Sequence, residues 1–214
     1  SLTSTAMYLT SSWDASGQIP ERAVGNGLIS RFGSIDPHEG GQTSRTTLQI
    51  ALEERGMDPF SVRASFTDYR FQLFSNFTFF LNDSLRGDMI EQTDDRQVIT
   101  MQVQKSFSSQ WGSIGSQTTI GTNVRYDDIA TSLFHDSARV RLSTTRGNTI
   151  DQTNIGLFAQ QTVLIDDLTI ILGLRGDYFR FLVADITTNA DEVRGLMSTF
   201  LVSPKITLTY SLNE

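Results

Sequence analysis

Two spacings in the sequence place an arginine two residues before an aspartate, in stretches that otherwise have the composition of β-strands. The pairs are Arg125 with Asp127 and Arg175 with Asp177. Because residues two apart in a strand point to the same side, each pair would present a cation beside an anion on one face. These groups could contact a ligand or another domain. We favour the simpler interpretation that they are ion pairs which keep a polar surface hydrated.

Residues able to carry out catalysis are few. His38 and His135 both fall in segments predicted to be loops, and neither has a carboxylate or serine constellation around it. Solvated loop histidines are therefore favoured over metal or ligand contacts. The chain has no cysteine, which excludes thiolate metal sites, cysteine nucleophiles and disulfide bonds. We predict that the protein is not an enzyme and has no cofactor or metal site.

Three acidic pairs offer the oxygen ligands that calcium prefers. Aspartate is also common in turns, so the simpler interpretation is that these pairs are polar residues of loops. The pairs are Asp94-Asp95, Asp127-Asp128 and Asp166-Asp167, predicted to lie in a loop, at a loop edge and in a turn.

The segments that hold the arginine–aspartate pairs alternate in polarity with a period of two, which indicates strands with two different faces. One face of the last such segment holds Leu168, Ile170, Leu172, Leu174, Gly176 and Tyr178, and the other holds Thr169, Ile171, Gly173, Arg175 and Asp177. In the segment before it, Ile155, Leu157, Ala159, Val163 and Ile165 alternate with Asn154, Gly156, Phe158, Gln160 and Thr162.

Asp166-Asp167 separates these two runs and predicts a hairpin with a two-residue turn. Ile165 would then face Leu168, and the remaining pairs follow from that one. They are Val163 with Ile170, Gln160 with Gly173, Ala159 with Leu174, Phe158 with Arg175, Gly156 with Asp177 and Ile155 with Tyr178. The ring of Phe158 could lie against the guanidinium of Arg175, a contact worth about 0.5–1 kcal/mol.

Alternation or strand-like composition recurs along the chain and predicts about eight strands, in residues 1–13, 47–52, 71–81, 99–104, 119–127, 154–165, 168–178 and 206–212. The polar sides carry Gln, Asn, Thr, Arg and Asp, as the wall of a water-filled barrel requires. The predicted lumen-lining residues are Asn123, Arg125, Asp127, Phe158, Gln160, Arg175 and Asp177.

The predicted connections alternate in length, with long segments at 13–41, 82–96, 128–149 and 185–196, and short ones at 55–59, 108–116 and 166–167. Long external loops and short periplasmic turns are typical of outer-membrane barrels. Tyr126, Tyr178, Phe179 and Phe181 are predicted to lie at strand ends, where a membrane-interface girdle would form. The sequence therefore predicts an all-β, antiparallel up-and-down meander that is a segment of a large transmembrane β-barrel, with a soluble β-sandwich as the alternative.

Composition narrows the choice of partners. The net charge is −7, which argues against a nucleic-acid partner. No stretch approaches the roughly 20 apolar residues of a membrane-spanning helix, and the first residues do not have the pattern of a signal peptide.

Several segments resemble the barrel of TonB-dependent outer-membrane receptors. They are residues 16–24 (SGQIPERAV), 31–37 (RFGSIDP), 40–45 (GGQTSR), 86–88 (RGD), 125–128 (RYDD), 173–178 (GLRGDY) and 203–208 (SPKITL). The resemblance implies a barrel of about 22 strands around a plug domain. It also implies a location in the outer membrane of a Gram-negative bacterium, with contacts to membrane lipid.

The resemblance further implies a function, which is to bind a scarce nutrient and import it. The nutrient would be a siderophore–iron complex, cobalamin or a glycan, and the inner-membrane TonB complex would supply energy through the plug. Residues 1–214 would be a partial barrel domain without plug, signal peptide or final strands. A structural or adhesive outer-membrane barrel without active transport is the alternative, and a soluble β-rich binding module is a more distant one.

Overall fold

The computed structural model describes residues 1–187 and 194–212, except for the side chain of Arg194. These residues form eight strands and one five-residue helix. The strands are β1 (Leu2–Asp14), β2 (Gly40–Glu54), β3 (Phe60–Ser75), β4 (Met89–Trp111), β5 (Ile114–Ser137), β6 (Val140–Ile165), β7 (Leu168–Asp185) and β8 (Arg194–Tyr210), and the helix α1 is Glu21–Gly25. In the part of the chain that is described, no helix is long and apolar enough to cross a membrane.

The strands make a single sheet in which each strand pairs antiparallel with its neighbour in the sequence. Strands β1 and β8 are the two edges of the sheet and do not pair with each other, so the sheet is open. A β-sandwich needs two packed sheets, whereas the described residues form one layer. The predicted meander is confirmed, and the soluble sandwich is wrong.

The hairpin between β6 and β7 has the predicted register. Ile165 lies opposite Leu168, Phe158 opposite Arg175, and Gly156 opposite Asp177. Asp166 in the turn has φ of 49°, a left-handed conformation that aspartate tolerates better than most residues. The two-residue turn and the alternation of the flanking strands therefore agree on one register.

One face of the sheet carries large apolar side chains that nothing in the described chain covers. Leu157 is 64% exposed, Leu174 57% and Leu208 65%, far more than large apolar side chains in the interior of a soluble protein. Ile170 on the same face is half-buried. Arg175 follows Leu174 directly in β7 and therefore lies on the opposite face.

The strands extend well beyond the segments that alternate. Residues 128–149 were predicted to be a long loop, yet β5 and β6 continue through them to a turn at Ala138 and Arg139. Likewise β4 already begins at Met89, which shortens the predicted 82–96 loop and moves it to 76–88, and the 108–116 connection shrinks to Gly112 and Ser113. Backbone pairing continues where polar and apolar residues are mixed on both faces, and alternation gives no signal there.

Strand β3 ends earlier than predicted. It stops at Ser75, so the apolar stretch 71–81 leaves the sheet halfway and enters the loop 76–88. Half of the predicted loop 185–196, residues 188–193, lies outside the described residues, and residues 194–196 belong to β8.

The aromatic residues predicted to mark strand ends lie inside the strands instead. Tyr126 and Tyr178 belong to the apolar face, where they are partly exposed. Phe179 and Phe181 have the opposite parity and stack on each other with ring centroids 6.3 Å apart. The girdle prediction was therefore wrong for Phe179 and Phe181, which point away from the face expected to meet lipid.

Replacing Leu172 with arginine tests which face meets the lipid. Leu172 is 47% exposed and lies in the middle of the apolar positions of β7. Leu172→Arg should lower the free energy of unfolding by about 2–4 kcal/mol in lipid vesicles, because a cation would be placed in hydrocarbon. The neighbour Ile171 lies on the opposite face, and Ile171→Arg should cost less than about 1 kcal/mol. Equal costs in denaturant titrations would show that the faces are not distinguished by lipid.

Candidate functional site

The polar face of β5, β6 and β7 carries a connected network of charged and amide side chains. Arg175 donates from Nε and Nη2 to the two carboxylate oxygens of Asp177, at 2.6 and 2.7 Å. Its Nη1 donates to Oδ1 of Asn123 on β5 at 3.0 Å. Arg175 therefore links β7 to β5 across the intervening strand.

Glycine on β6 makes this crossing possible. Gly156 lies opposite Asp177 in β7 and Asn123 in β5. A Cβ at position 156 would collide with the guanidinium of Arg175 and lie 2.6 Å from Oδ1 of Asp177. A larger residue at this position would therefore displace Arg175 from its partners.

The second predicted pair has the same geometry. Arg125 donates from Nε and Nη2 to both oxygens of Asp127, each at 2.7 Å. Asp127 is only 2% exposed, so its charge is compensated within the structure. Bidentate pairing of this kind fixes both side chains. Both predicted ion pairs are thus formed.

The remaining two predicted lumen-lining residues share the polar face but not the network. Phe158 does not lie on Arg175 as expected. Its ring leans across β5 toward Gly121, where a Cβ would lie 2.7 Å from Cε1 of Phe158. The guanidiniums that stack on phenylalanine rings in the described chain are those of Arg139 and Arg141. Gln160 lies opposite Gly173, as the register required.

The same face continues with pairs that sequence reasoning missed. Arg96 binds Asp94, and Arg63 donates to Glu53 at 2.6 Å. The spacing of Asp94 and Arg96 is the one used to find the other pairs, in reversed order, so this signal was available. An open cavity of about 570 Å³ runs along the face, and its lining includes Arg63, Asn123, Arg125, Asn154 and Arg175. We call the network of Asn123, Arg125, Asp127, Asn154, Arg175 and Asp177 the polar wall.

Two of the three acidic pairs lie within strands, where their carboxylates point apart. Asp94-Asp95 and Asp127-Asp128 lie within β4 and β5 rather than in a loop and at a loop edge. Consecutive strand residues point to opposite faces, so the two carboxylates of each pair cannot hold one ion. Within residues 1–187 and 194–212, no cluster of three histidine or acidic side chains is placed to bind a metal.

Two loops and one hairpin tip pack together at the end of the sheet opposite the two-residue turns 112–113 and 166–167. We call them the collar, which consists of loop 15–39, loop 76–88 and the tip of the β5–β6 hairpin. Glu39 is 3% exposed and accepts hydrogen bonds from the amides of Gly17 at 2.7 Å and Asn76 at 2.8 Å. Asn76 donates in turn to Asp36 at 2.8 Å. Buried polar groups therefore hold the two loops together.

The hairpin tip fastens both loops. Ala138 and Arg139 form a two-residue turn with φ of 49° and 66°, and Arg139 donates from Nε to the carbonyl of His38 at 2.7 Å. His135 donates from Nε2 to the carbonyl of Gly87 at 2.7 Å. His135 thus lies in strand β5, not in a loop as predicted, whereas the loop residue His38 is about half exposed and contacts Asp36.

Two aspartates of the collar have shifted pKa values. Burial raises the pKa of Asp88, but amide N–H donation from Asn82 and Asp83 outweighs it and lowers the pKa to about 2. Asp136 is fully buried, and neither of its carboxylate oxygens has a hydrogen-bond partner in the described structure. Burial, reinforced by the nearby charge of Glu91, raises the pKa of Asp136.

Comparisons with known proteins agree with this geometry. The family model for the β-barrel of TonB-dependent receptor-like proteins matches residues 2–214. No curated protein sequence matches the chain. Among solved structures, the unliganded ferric citrate transporter FecA aligns with 100% of the chain and 31% of its own length, at 11% identity and a TM-score of 0.84.

A second receptor structure is also similar. The open form of the ferric-catecholate import receptor Fiu from E. coli K12 aligns with 100% of the chain and 42% of its own length, at 14% identity and a TM-score of 0.67. At these identities the likeness concerns the fold. The chain spans less than half of each solved receptor chain.

Asp136→Asn should make the stability of the protein less dependent on pH. Because the pKa of Asp136 is higher in the folded state than its usual 3.8, folding becomes less favourable as pH rises from that value through the folded pKa. The asparagine variant does not have this ionisation. In denaturant unfolding in detergent micelles, the variant should gain stability relative to wild type as the pH rises above about 4.

Asp128→Asn is the matched control, because Asp128 lies on the same strand with an exposed side chain. It should leave the pH profile unchanged. A profile of Asp136→Asn parallel to that of the wild type would show that folding does not shift the pKa of Asp136, which would contradict this account.

Proposed function

The chain belongs to the β-barrel family of TonB-dependent receptors, and from this premise we propose that it is part of an outer-membrane receptor that binds a scarce nutrient and imports it. Receptors and transporters, rather than enzymes, make up the family and the solved structures that it resembles. The coarse assignment as a receptor barrel rests on the family. The transport activity, the energy source and the nutrient are our proposals.

The observation that carries the proposal is the contrast between the two faces of the sheet. Exposed apolar side chains such as Leu157, Leu174 and Leu208 cover one face, and paired ions cover the other. A lipid-facing outer surface and an aqueous interior require this division. It supports a membrane wall rather than a soluble binding module.

We propose that the polar wall lines the interior of the barrel, together with Phe158 and Gln160. The bidentate pairs Arg125–Asp127 and Arg175–Asp177 neutralise each other's charge, so the wall offers many hydrogen bonds with little net field. Such a surface suits a polar plug domain that must dock and later move. Because each arginine is already paired with an aspartate, the wall does not bind a charged ligand of either sign tightly during its passage.

Energy coupling belongs to a longer protein in this proposal. Eight strands cover about a third of a barrel of about 22 strands, and the chain spans 31% of FecA. We propose that a plug in the remainder of the receptor contacts the TonB complex of the inner membrane. The solved neighbours are named for ferric citrate and ferric catecholates, so a ferric chelate is the first candidate nutrient, ahead of cobalamin and glycans.

Growth of a deletion strain tests the proposal. A strain lacking the gene should fail to grow when one ferric chelate, or else cobalamin or one glycan, is the limiting source, and it should grow normally on the others. The gene supplied on a plasmid should restore growth only when the TonB complex is intact. Uptake of the labelled nutrient should fall to the background of a TonB-deficient strain.

The outcome also separates the alternative function. If the deletion strain grows normally on every source but its cells no longer adhere, an adhesive or structural barrel would be favoured. Nutrient uptake that persists without the TonB complex would contradict active transport through this protein.

A further inference from the structure

A polar groove lies on the apolar side of the sheet, not on the side of the polar wall. Along β2, Gln42 and Ser44 have the same parity as the exposed residues Leu48 and Ile50. Along β3, Arg70 and Gln72 have the parity of Phe66, which lies opposite Leu48. The groove therefore opens on the surface that we assign to lipid, just beyond the apolar residues and toward the collar.

The groove is built around a buried carboxylate. Gln42 donates from Nε2 to Oε1 of Gln72 at 2.6 Å, and Gln72 donates from Nε2 to Oε1 of Glu91 at 2.6 Å. Glu91 is 2% exposed and also accepts two hydrogen bonds from Arg141, at 2.8 and 2.9 Å. This chain of hydrogen bonds runs from β2 to β6.

An aromatic ring also holds the Arg141 side chain in place. Its guanidinium lies 3.4 Å from the ring centroid of Phe134, so it reaches Glu91 on β4 by crossing an aromatic face of β5. Half of the Arg141 side chain remains exposed. Its outer edge and the amide of Gln42 are thus oriented before any ligand arrives, which reduces the entropy lost on binding.

The lining of the groove favours a sugar over a bare phosphate. The charged residues are Arg70, Arg141, Glu91 and Asp95, two cations and two anions, so their formal charges cancel. Amide and hydroxyl groups supply both donors and acceptors, as a ring with several hydroxyls requires. Tyr8 lines the groove at its rim and offers an aromatic face with a polar tip. The cavity is about 490 Å³, which is large enough for a sugar unit.

The depth of the groove indicates which sugar can reach it. Ser44 is four residues beyond Leu48, about 13 Å along the strand, and about 10 Å along the membrane normal for strands tilted by about 35–45°. A membrane-spanning strand needs about 9–11 residues, and residues 44–54 of β2 already supply that length, so the groove lies at the level of the headgroups. Acyl chains attached to such a headgroup would run along Leu48, Ile50 and Phe66.

We propose that the groove binds the saccharide headgroup of an outer-leaflet glycolipid. Gln42 and Arg141 hydrogen-bond the sugar hydroxyls, Tyr8 covers one face of the ring, and the buried Glu91 fixes Gln72 and Arg141 in position. This inference rests on the membrane orientation in the proposed function, but not on nutrient import. The occupant is a lipid component of the membrane itself rather than the transported nutrient.

Binding of a defined glycolipid to the full-length receptor in mixed micelles tests the proposal. The probe is an acylated diglucosamine bisphosphate, and its dissociation constant is measured by fluorescence or native mass spectrometry. The double variant Tyr8→Ala/Gln42→Leu should weaken binding about tenfold or more, because it removes the ring contact and one set of hydrogen bonds. Gln49→Leu is the matched control, since Gln49 is exposed on the opposite face of β2, and it should bind as wild type does.

Three further probes identify the part of the lipid that is recognised. The dephosphorylated glycolipid should bind with an affinity within about threefold of the parent, because the groove is neutral. Phosphatidylglycerol with the same acyl chains, and diglucosamine without acyl chains, should each bind at least tenfold more weakly. Equal binding of phosphatidylglycerol would reduce the interaction to acyl contacts, and equal binding of free diglucosamine would make the groove a site for soluble sugars. Either result, or an unchanged affinity of the double variant, would overturn the proposal.

The readouts separate this inference from the proposed function. If the double variant loses glycolipid but retains nutrient uptake, both stand. If wild type binds glycolipid but imports no nutrient, the proposed transport fails and the groove remains. If wild type imports nutrient but does not distinguish glycolipid from phosphatidylglycerol, the inference fails alone.

Discussion

The structure depends on one constraint. Successive residues of each strand point to opposite faces of the sheet, and the two faces meet different surroundings, so side-chain polarity must alternate with a period of two residues. The sheet is a single layer, so no second layer buries its apolar face. The buried apolar residues of the described chain are Phe74, Met89, Ile129 and Phe134. Phe74, Met89 and Phe134 lie near the collar, whereas Ile129 lies farther along β5, opposite Arg96. Along the rest of the sheet, ladder hydrogen bonds and the match of each face to its surroundings replace a core. A slip of one residue would exchange the faces of a whole strand, which explains why the hairpin register is so strongly determined.

The same constraint explains which parts of the fold could be predicted from the sequence. In the β6–β7 hairpin, the alternation and the two-residue turn agree, and the predicted pairs from Ile165–Leu168 to Ile155–Tyr178 are confirmed. In residues 128–149, polar and apolar residues fall on both faces, with Ile129 on one and Phe134 on the other, so alternation disappears while pairing continues. The sequence then resembles a loop although the backbone is extended. The early end of β3 is a different case, because residues 76–81 are mostly apolar yet enter the collar.

The candidate site was predictable to the extent that it depends on local spacing. Arg125–Asp127 and Arg175–Asp177 follow from strand geometry alone, and both pairs are formed. The contact between Arg175 and Asn123 could not be predicted, because it crosses β6 and depends on the absence of a side chain at Gly156. Phe158 turned toward Gly121 for the same kind of reason, since the glycine on the neighbouring strand leaves room for the ring. The glycines of the polar face therefore determine which side chains meet.

Cysteine scanning along β7 tests the division between the two faces most directly. The chain has no native cysteine, so single replacements from position 168 to position 178 each introduce one thiol. In the full-length receptor in intact outer membranes, with any cysteine outside this chain replaced by serine, a hydrophilic maleimide should label positions 169, 171, 173, 175 and 177. Positions 168, 170, 172 and 174 should resist it and should be quenched by a lipid-soluble probe when labelled with a fluorophore. Labelling that rises and falls with a period of two would support an aqueous interior behind a lipid-facing wall. Labelling that changes smoothly along the strand, or strong labelling at positions 172 and 174, would contradict it.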